Sequence, residues 1–285
     1  MTSRMTVQRL GRLVTDGELD AVRAAVQEQP RLLSAAVERD GVDGWTALHL
    51  AVFAGQAPMV AALVEAGADP TARTEDGRTP LNLALLHAPA LVEVLREAGA
   101  PVDAASAAFL GEVETLSRAL DDGVPLTDPA TDTDLLSWAA AGGRPGTVQV
   151  LLDRGAAPGR ALHAAAAGGA PAVVQALLAA GADADVRDPA TGRTPLHAAV
   201  AGAASGDGAP AASGGDADAA SGGDAQAVVR LLLDAGADVD ATTHDGASAL
   251  DIARVAAARQ RAEAAGDAPV ADSLAEMLVT AGASG

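Results

Sequence analysis

Histidines are the residues of this sequence best suited to acid–base chemistry, because imidazole titrates near neutral pH and also binds metals. There are five, at positions 49, 87, 163, 197 and 244. His49, His163 and His197 stand in copies of one phrase that lie far apart along the chain. Because separate copies are not expected to converge on one point, the histidines predict neither a metal site nor a catalytic centre.

Acidic residues gather in two corresponding stretches, at 40–43 and 75–76. An acid–base pair is one interpretation, and a solvated acidic edge is the favoured one. The Asp-Gly pairs at 43–44, 76–77 and 245–246 are typical of turns. The acidic string at 207–218 lacks the oxygen spacing and the final Glu of an EF-hand loop, so no calcium site is predicted.

Several catalytic motifs are missing from the sequence. No lysine is present, so a phosphate-binding Gly-Lys-Ser/Thr loop cannot be built. There is no Gly-x-Ser-x-Gly motif and no dinucleotide fingerprint. The absence of cysteine excludes disulfides and thiolate metal sites. We therefore expect no cofactor and no enzyme activity.

The charge narrows the class of partner. The chain has 19 basic and 38 acidic residues, a net charge of −19. Such a chain repels nucleic-acid backbones and anionic membranes, and it suits a basic protein partner. The missing lysine indicates codon bias, with escape from lysine-directed modification as the alternative. No signal peptide or transmembrane segment is recognisable, so a cytoplasmic monomer is expected.

Two phrases recur in fixed order. The first reads Gly-Trp-Thr-Ala-Leu-His-Leu-Ala at 44–51 and returns at 77–84 and 192–199, with worn copies around 136, 162 and 248. The second phrase is Leu-Val-Glu-Ala-Gly-Ala-Asp at 63–69. Further copies of it end near residues 101, 156, 183, 238 and 283. Thr before a helix is an N-cap, Leu and Ala form an apolar stripe, and Gly ends the second helix. One such helix pair cannot bury its own stripe, so the pairs must stack.

Two phrases at a 33-residue period resemble the ankyrin repeat. The resemblance implies an all-α solenoid of stacked helix pairs, each with a hairpin-like finger, an inner helix and an outer helix. It also implies that fingers and inner helices line a concave groove, and that the phrase histidines bond backbone between repeats.

Irregular spacing of the second phrase predicts breaks in the pattern. The segments after Gly99 and Gly155 run almost directly into the next helix, so the fingers there should be missing. We expect one repeat domain over 1–285, with N-terminal capping helices at 1–40 and about seven repeats at 41–285. Gly/Ala/Ser/Asp-rich sequence at 204–224 predicts a disordered insertion, and a second insertion is expected at 258–270.

Groove positions implied by the resemblance give the candidate binding residues. Exposed aromatic and Arg side chains are typical interface anchors, and packing between repeats is the equal alternative for Trp45 and Phe53. Trp138 is predicted to lie in the core. The candidates for partner binding are Trp45, Phe53, Arg73, Arg78, Leu86, His87 and Arg193.

Three functions compete at this point. The favoured one is a protein-binding scaffold or adaptor that uses the groove. The alternative is an acidic inhibitor or immunity-like protein that masks a basic toxin or enzyme. An enzyme is the third, and it would need converging titratable groups that the sequence does not show.

Overall fold

The computed structural model describes residues 6–128, 133–205, 223–263 and 270–283. Within these residues the chain is mostly helical, with a few short strands. The strands are β1 (Val37–Arg39), β2 (Val42–Trp45), β3 (Thr127–Asp128) and β4 (Thr133–Asp134). The helices are α1 (Val7–Thr15), α2 (Leu19–Glu28), α3 (Ala47–Phe53), α4 (Ala57–Glu65), α5 (Pro80–His87), α6 (Val92–Glu97), α7 (Ala104–Leu110), α8 (Val113–Asp121), α9 (Leu135–Ala141), α10 (Pro145–Asp153), α11 (Ala161–Ala167), α12 (Pro171–Ala179), α13 (Pro195–Ser205), α14 (Gly223–Asp234), α15 (Ala249–Glu263) and α16 (Val270–Thr280).

The chain divides into two compact units. The first comprises Met1–Ser106 and Thr127–Thr133, and the second comprises Ala107–Leu126 and Asp134–Gly285. In the first unit, inner helices α1, α3 and α5 stack in order, and α2 packs on α4 outside them. In the second unit, inner helices α9, α11, α13 and α15 stack, and α10, α12, α14 and α16 form the outer row. Helices α1 and α2 pack on the first repeat as a capping pair should.

The core is built from the same two positions of each inner helix. A Leu and the Ala three residues later are almost completely buried in α3, α5, α9, α11, α13 and α15, beginning with Leu48 and Ala51. Alanine allows neighbouring inner helices to approach closely. A side chain at Gly202 would overlap the carbonyl oxygen of Ala167 in the preceding inner helix. Small residues therefore replace a single large core by thin, repeated packing layers.

Fingers are present in some repeats and missing in others, as the sequence predicted. Residues 66–79 separate α4 from α5, and residues 180–194 separate α12 from α13. Only residues 98–103 separate α6 from α7, and only 154–160 separate α10 from α11. The binding surface of each unit is consequently not lined by fingers along its whole length.

The predicted insertions fall largely outside the described residues. α13 ends at Ser205 and α14 begins at Gly223, so the structure does not test disorder at 204–224. The stretch proposed as a second insertion, 258–270, begins inside α15, which continues to Glu263. The single-domain boundary at 1–285 also stays a prediction.

The phrase histidines of α3, α11 and α13 connect their inner helices to the next finger. His49 Nδ1 accepts the backbone N–H of Thr46 at 3.2 Å, and its Nε2–H donates to the carbonyl of Arg78 at 3.2 Å. His197 repeats both bonds with Thr194 and the carbonyl of Ala247, each at 3.2 Å. This is the bond between repeats that the family resemblance implied.

Asparagine fills the same position in the second repeat. Asn82 Oδ1 accepts the N–H of Thr79 at 2.9 Å, and its Nδ2–H donates to Ser106 Oγ at 2.8 Å. An amide therefore reproduces the imidazole's bonding without a titratable group.

Replacing His49 by Asn should make the free energy of unfolding less sensitive to acid. Burial lowers the pKa of His49 and of His197, although backbone hydrogen bonds partly oppose this. A lowered folded-state pKa means that the unfolded chain binds the proton first. The contribution of these histidines to the free energy of unfolding is therefore complete above the unfolded-state pKa of about 6.5 and is lost as pH falls below that value.

The test is to measure the urea concentration at the midpoint of unfolding for wild type and for His49→Asn at several pH values between 8 and 5. The wild-type midpoint should fall more over this range than that of the variant. An equally steep fall in the two proteins would exclude His49 as a source of the acid sensitivity.

Gly44 and Gly67 offer a matched pair for measuring the contact between the first two fingers. Both have φ near 90°, so Ala at either position costs about 1 kcal/mol of left-handed strain. A Cβ at Gly44 would also lie 2.8 Å from Cα of Thr74, whereas Gly67 has nothing within 4 Å. Gly44→Ala should therefore destabilise by about 1–3 kcal/mol more than Gly67→Ala. Equal shifts of the denaturation midpoint would show that the fingers separate at no cost.

Candidate functional site

The first finger is a β-hairpin closed by a two-residue turn. β1 and β2 pair antiparallel, with Arg39 opposite Val42. The turn residues Asp40 and Gly41 have φ of 52° and 81°, as a type I′ turn requires, and Asp-Gly is a favoured sequence for it. This turn places Arg39 on one strand beside Trp45 at the end of the other.

Four side chains from three elements meet at the base of this finger. The ring of Phe53 at the end of α3 lies 5.6 Å from Trp45, edge to face, and 4.8 Å from the ring of His87 at the end of α5. The guanidinium carbon of Arg39 lies 3.9 Å from the centre of the Phe53 ring and 5.3 Å from that of Trp45. We call Arg39, Trp45, Phe53 and His87 the finger cluster.

The cluster is buried at one end and open at the other. Trp45 is only 7% exposed, Phe53 is half-buried and His87 is exposed. The indole N–H of Trp45 finds no acceptor among the described residues. Trp45 therefore serves mainly as packing beneath the cluster, and the surface available to a partner is formed by Phe53, His87 and Arg39.

His87 is held in its neutral form. Partial burial of the ring lowers its pKa, and the positive charges of Arg78 and Arg39 lower it further. All three effects disfavour the imidazolium ion. The open end of the cluster thus presents two guanidinium groups and an uncharged imidazole.

The second finger contributes Arg78, whose backbone position is fixed by the His49 bond to its carbonyl. Its Nε lies 3.0 Å from a carboxylate oxygen of Asp76, and the side chain is 44% exposed. An ion pair this exposed contributes about 0–1 kcal/mol, so Arg78 can exchange its partner at little cost.

Arg73 has a bracing role within the same finger. Its guanidinium donates to the carbonyl of Gly77 at 2.7 Å and to Asp103 at 3.2 Å. Asp103 in turn accepts the N–H of Ser106 at 2.9 Å, near the start of α7. Arg73 therefore connects the finger to the next inner helix, although half of its side chain still faces solvent.

Two rings at the ends of consecutive inner helices thus lie beside a hairpin and a second finger. A family model for ankyrin repeats, in three copies, matches residues 12–106 and 136–206. The chain belongs to the ankyrin-repeat family.

A comparison with solved structures also finds matching chains. Among 382 matching chains is the human ASB11 ankyrin repeat domain, at 21% sequence identity and a TM-score of 0.45. The match covers 97% of this chain and 98% of that one. No curated protein sequence matches this chain. The ankyrin assignment therefore rests on the family model.

The remaining predicted residues are not all in one place. Leu86 is half-buried on α5 and directly precedes His87 in the sequence. Arg193 is exposed, but it belongs to the second unit of the ankyrin array. The prediction that Trp138 lies in the core was wrong. Its ring packs edge-on against buried Phe109 at 6.2 Å and remains partly exposed, because α9 turns that face outward.

Sequence analysis missed Arg39. The available signal was the Asp-Gly pair at 40–41, which specifies a tight hairpin and so places Arg39 opposite Val42, on the strand that ends at Trp45. The stacking of its guanidinium on Phe53 could not be read from that signal, because α3 must first pack against the hairpin.

Two kinds of site are absent from the described parts of the chain. Over 6–128, 133–205, 223–263 and 270–283, no group of three or more His, Asp or Glu side chains could hold a metal ion. No helix in those ranges is long and apolar enough to cross a membrane.

Replacing Arg39 by Gln should raise the pKa of His87, because one of the two nearby positive charges is removed. The pKa can be measured from the imidazole resonances in an NMR pH titration. Arg154→Gln is the control, since Arg154 pairs with Asp121 in the second unit. An unchanged His87 pKa in Arg39→Gln would contradict the geometry of the cluster.

Proposed function

We propose that this ankyrin-repeat protein is a scaffold or adaptor that binds a protein partner through the finger cluster. Ankyrin repeats generally mediate protein–protein interaction and typically form non-enzymatic binding scaffolds. Arg73, Arg78 and Leu86 adjoin the cluster and complete the contact surface of the first unit. Arg193 supplies a separate contact on the second unit.

The observation that carries the proposal is the open pair of rings at Phe53 and His87. The chain has only four aromatic residues, and two of them, Trp45 and Phe53, are in this cluster. Aromatic and Arg side chains dominate binding energy at protein interfaces, above all where they are half-buried already. A partner that covers these rings gains apolar burial without having to order them.

Pre-organisation favours the same surface. Thr46 caps α3 directly after Trp45, and the His49 bond fixes Arg78 against the first repeat. Backbone held in this way loses little conformational entropy on binding. Contact energy is therefore retained as affinity.

A second function is supported by the charge of the whole chain. A net charge of −19 favours rapid, electrostatically steered association with a basic protein, as an inhibitor or immunity-like protein would require. The dependence of binding on salt concentration distinguishes the two proposed functions. An association rate that falls steeply between low and high salt supports masking of a basic partner, whereas an affinity held by the rings depends weakly on salt.

Phe53→Ala should abolish retention of the partner in affinity capture from an extract of the source cells. Loss of a half-buried ring at an interface centre costs about 2 kcal/mol or more, which is at least a tenfold weaker Kd. Retained proteins are identified at low and at high salt, and Kd is then measured with the purified partner.

Trp138→Ala is the matched control, because it removes a half-buried aromatic ring from the second unit. Circular dichroism and urea denaturation establish that both variants remain folded. The finger cluster is excluded as the binding site if folded Phe53→Ala retains the partner as strongly as wild type.

A further inference from the structure

The open end of the finger cluster brings two arginines near His87, each paired with an aspartate of its own finger. Arg39 approaches from β1 and Arg78 from the second finger, and these are the two charged groups that act on His87. Arg39 is stacked on Phe53 and is only 29% exposed, so its guanidinium is held in place before any partner arrives. Arg39 and Arg78 thus bring two guanidinium groups, which can only donate hydrogen bonds, near a neutral imidazole that can donate one and accept one.

We propose that this end of the finger cluster binds a carboxylate side chain, an Asp or Glu within an otherwise apolar segment of the partner protein. The inference rests on the proposed function and names the chemistry of its partner. Guanidinium groups bind carboxylates through charge-assisted and often bidentate hydrogen bonds. The ring of Phe53 beside them receives the apolar neighbours of the acidic residue.

The acidic residue must be nearly alone in its segment. Arg39 already pairs with Asp40 at 3.3 Å, and Arg78 pairs with Asp76 at 3.0 Å. Both pairs are exposed and exchangeable, since the Asp40 side chain is 86% exposed. A run of carboxylates would meet these aspartates and the net charge of −19. One carboxylate makes the same contacts with the guanidinium groups and meets less of that repulsion than a run does.

Binding of a carboxylate is coupled to protonation of His87. Burial and the two arginines lower the pKa of the free imidazole, and a bound anion raises it again. The complex therefore takes up a proton, so affinity increases as pH falls through the pKa of the complex and levels off below the pKa of the free protein. Among the helices packed against α5, α3 carries one titratable side chain, His49, which is buried. The charged side chains of α6 are Glu93, Arg96 and Glu97, and all three are exposed.

The experiment is selection of random twelve-residue peptides, displayed on phage, against the immobilised full-length chain at pH 6.5. Enriched peptides should share one Asp or Glu flanked by apolar residues. For a synthetic selected peptide, changing that residue to Asn or Gln should weaken Kd at least tenfold. Arg39→Gln in the protein should weaken the parent peptide about five- to tenfold and abolish its preference over the amide peptide.

Arg154→Gln, which removes an equally exposed arginine paired with an Asp in the second unit, should leave Kd unchanged. His87→Gln should make Kd less dependent on pH. Arg39→Lys keeps the positive charge but removes the planar guanidinium that stacks on Phe53, so it separates the effect of charge from that of stacking. The proposed carboxylate ligand is contradicted if the selected peptides whose binding depends on Phe53 contain no Asp or Glu. It is also contradicted if Arg39→Gln does not weaken their binding, or if a phosphoserine version of the same peptide binds more tightly than the Asp or Glu form. Peptide binding that is unaffected by Phe53→Ala instead overturns the proposed function itself.

Discussion

In α3, α5, α11 and α13, a hydrogen bond from the histidine or asparagine of the inner helix to the next repeat is the constraint on which the candidate binding surface depends. His49 caps its own helix through Thr46 and reaches the carbonyl of Arg78, so one side chain fixes both the helix start and the following finger. Because the imidazole is buried, the bond is shielded from water and leaving it unmade would be costly. Finger and helix therefore hold one relative position.

Placement of the finger cluster follows from that constraint. Trp45 immediately precedes the cap, and Phe53 and His87 stand at the ends of α3 and α5. A shift of one finger relative to its helix would separate the guanidinium of Arg39 from the Phe53 ring, which it approaches to 3.9 Å. The hydrogen bonds that hold the fingers and helices in place thus also fix the arrangement of rings and charges at the surface.

Charge is distributed unevenly over this acidic chain. The net charge of −19 governs long-range encounters, whereas contacts within a Debye length of about 8–10 Å are set by nearby groups. At the finger cluster those groups include Arg39 and Arg78. Attraction of a basic protein and the proposed preference for a single carboxylate at the aromatic surface would therefore act over different distances.

Local signals in the sequence determined most of the fold. Thr caps, Leu/Ala stripes and the glycines after outer helices act over a few residues, so the helix pairs and the missing fingers after Gly99 and Gly155 were predictable. The aromatic residues of the candidate surface were also found. The burial of Trp45, the partial exposure of Trp138 and the role of Arg39 were decided only by the tertiary structure. Each depends on how a hairpin or a helix packs against a neighbour distant in sequence, and stacking geometry of that kind leaves no short-range pattern in the chain.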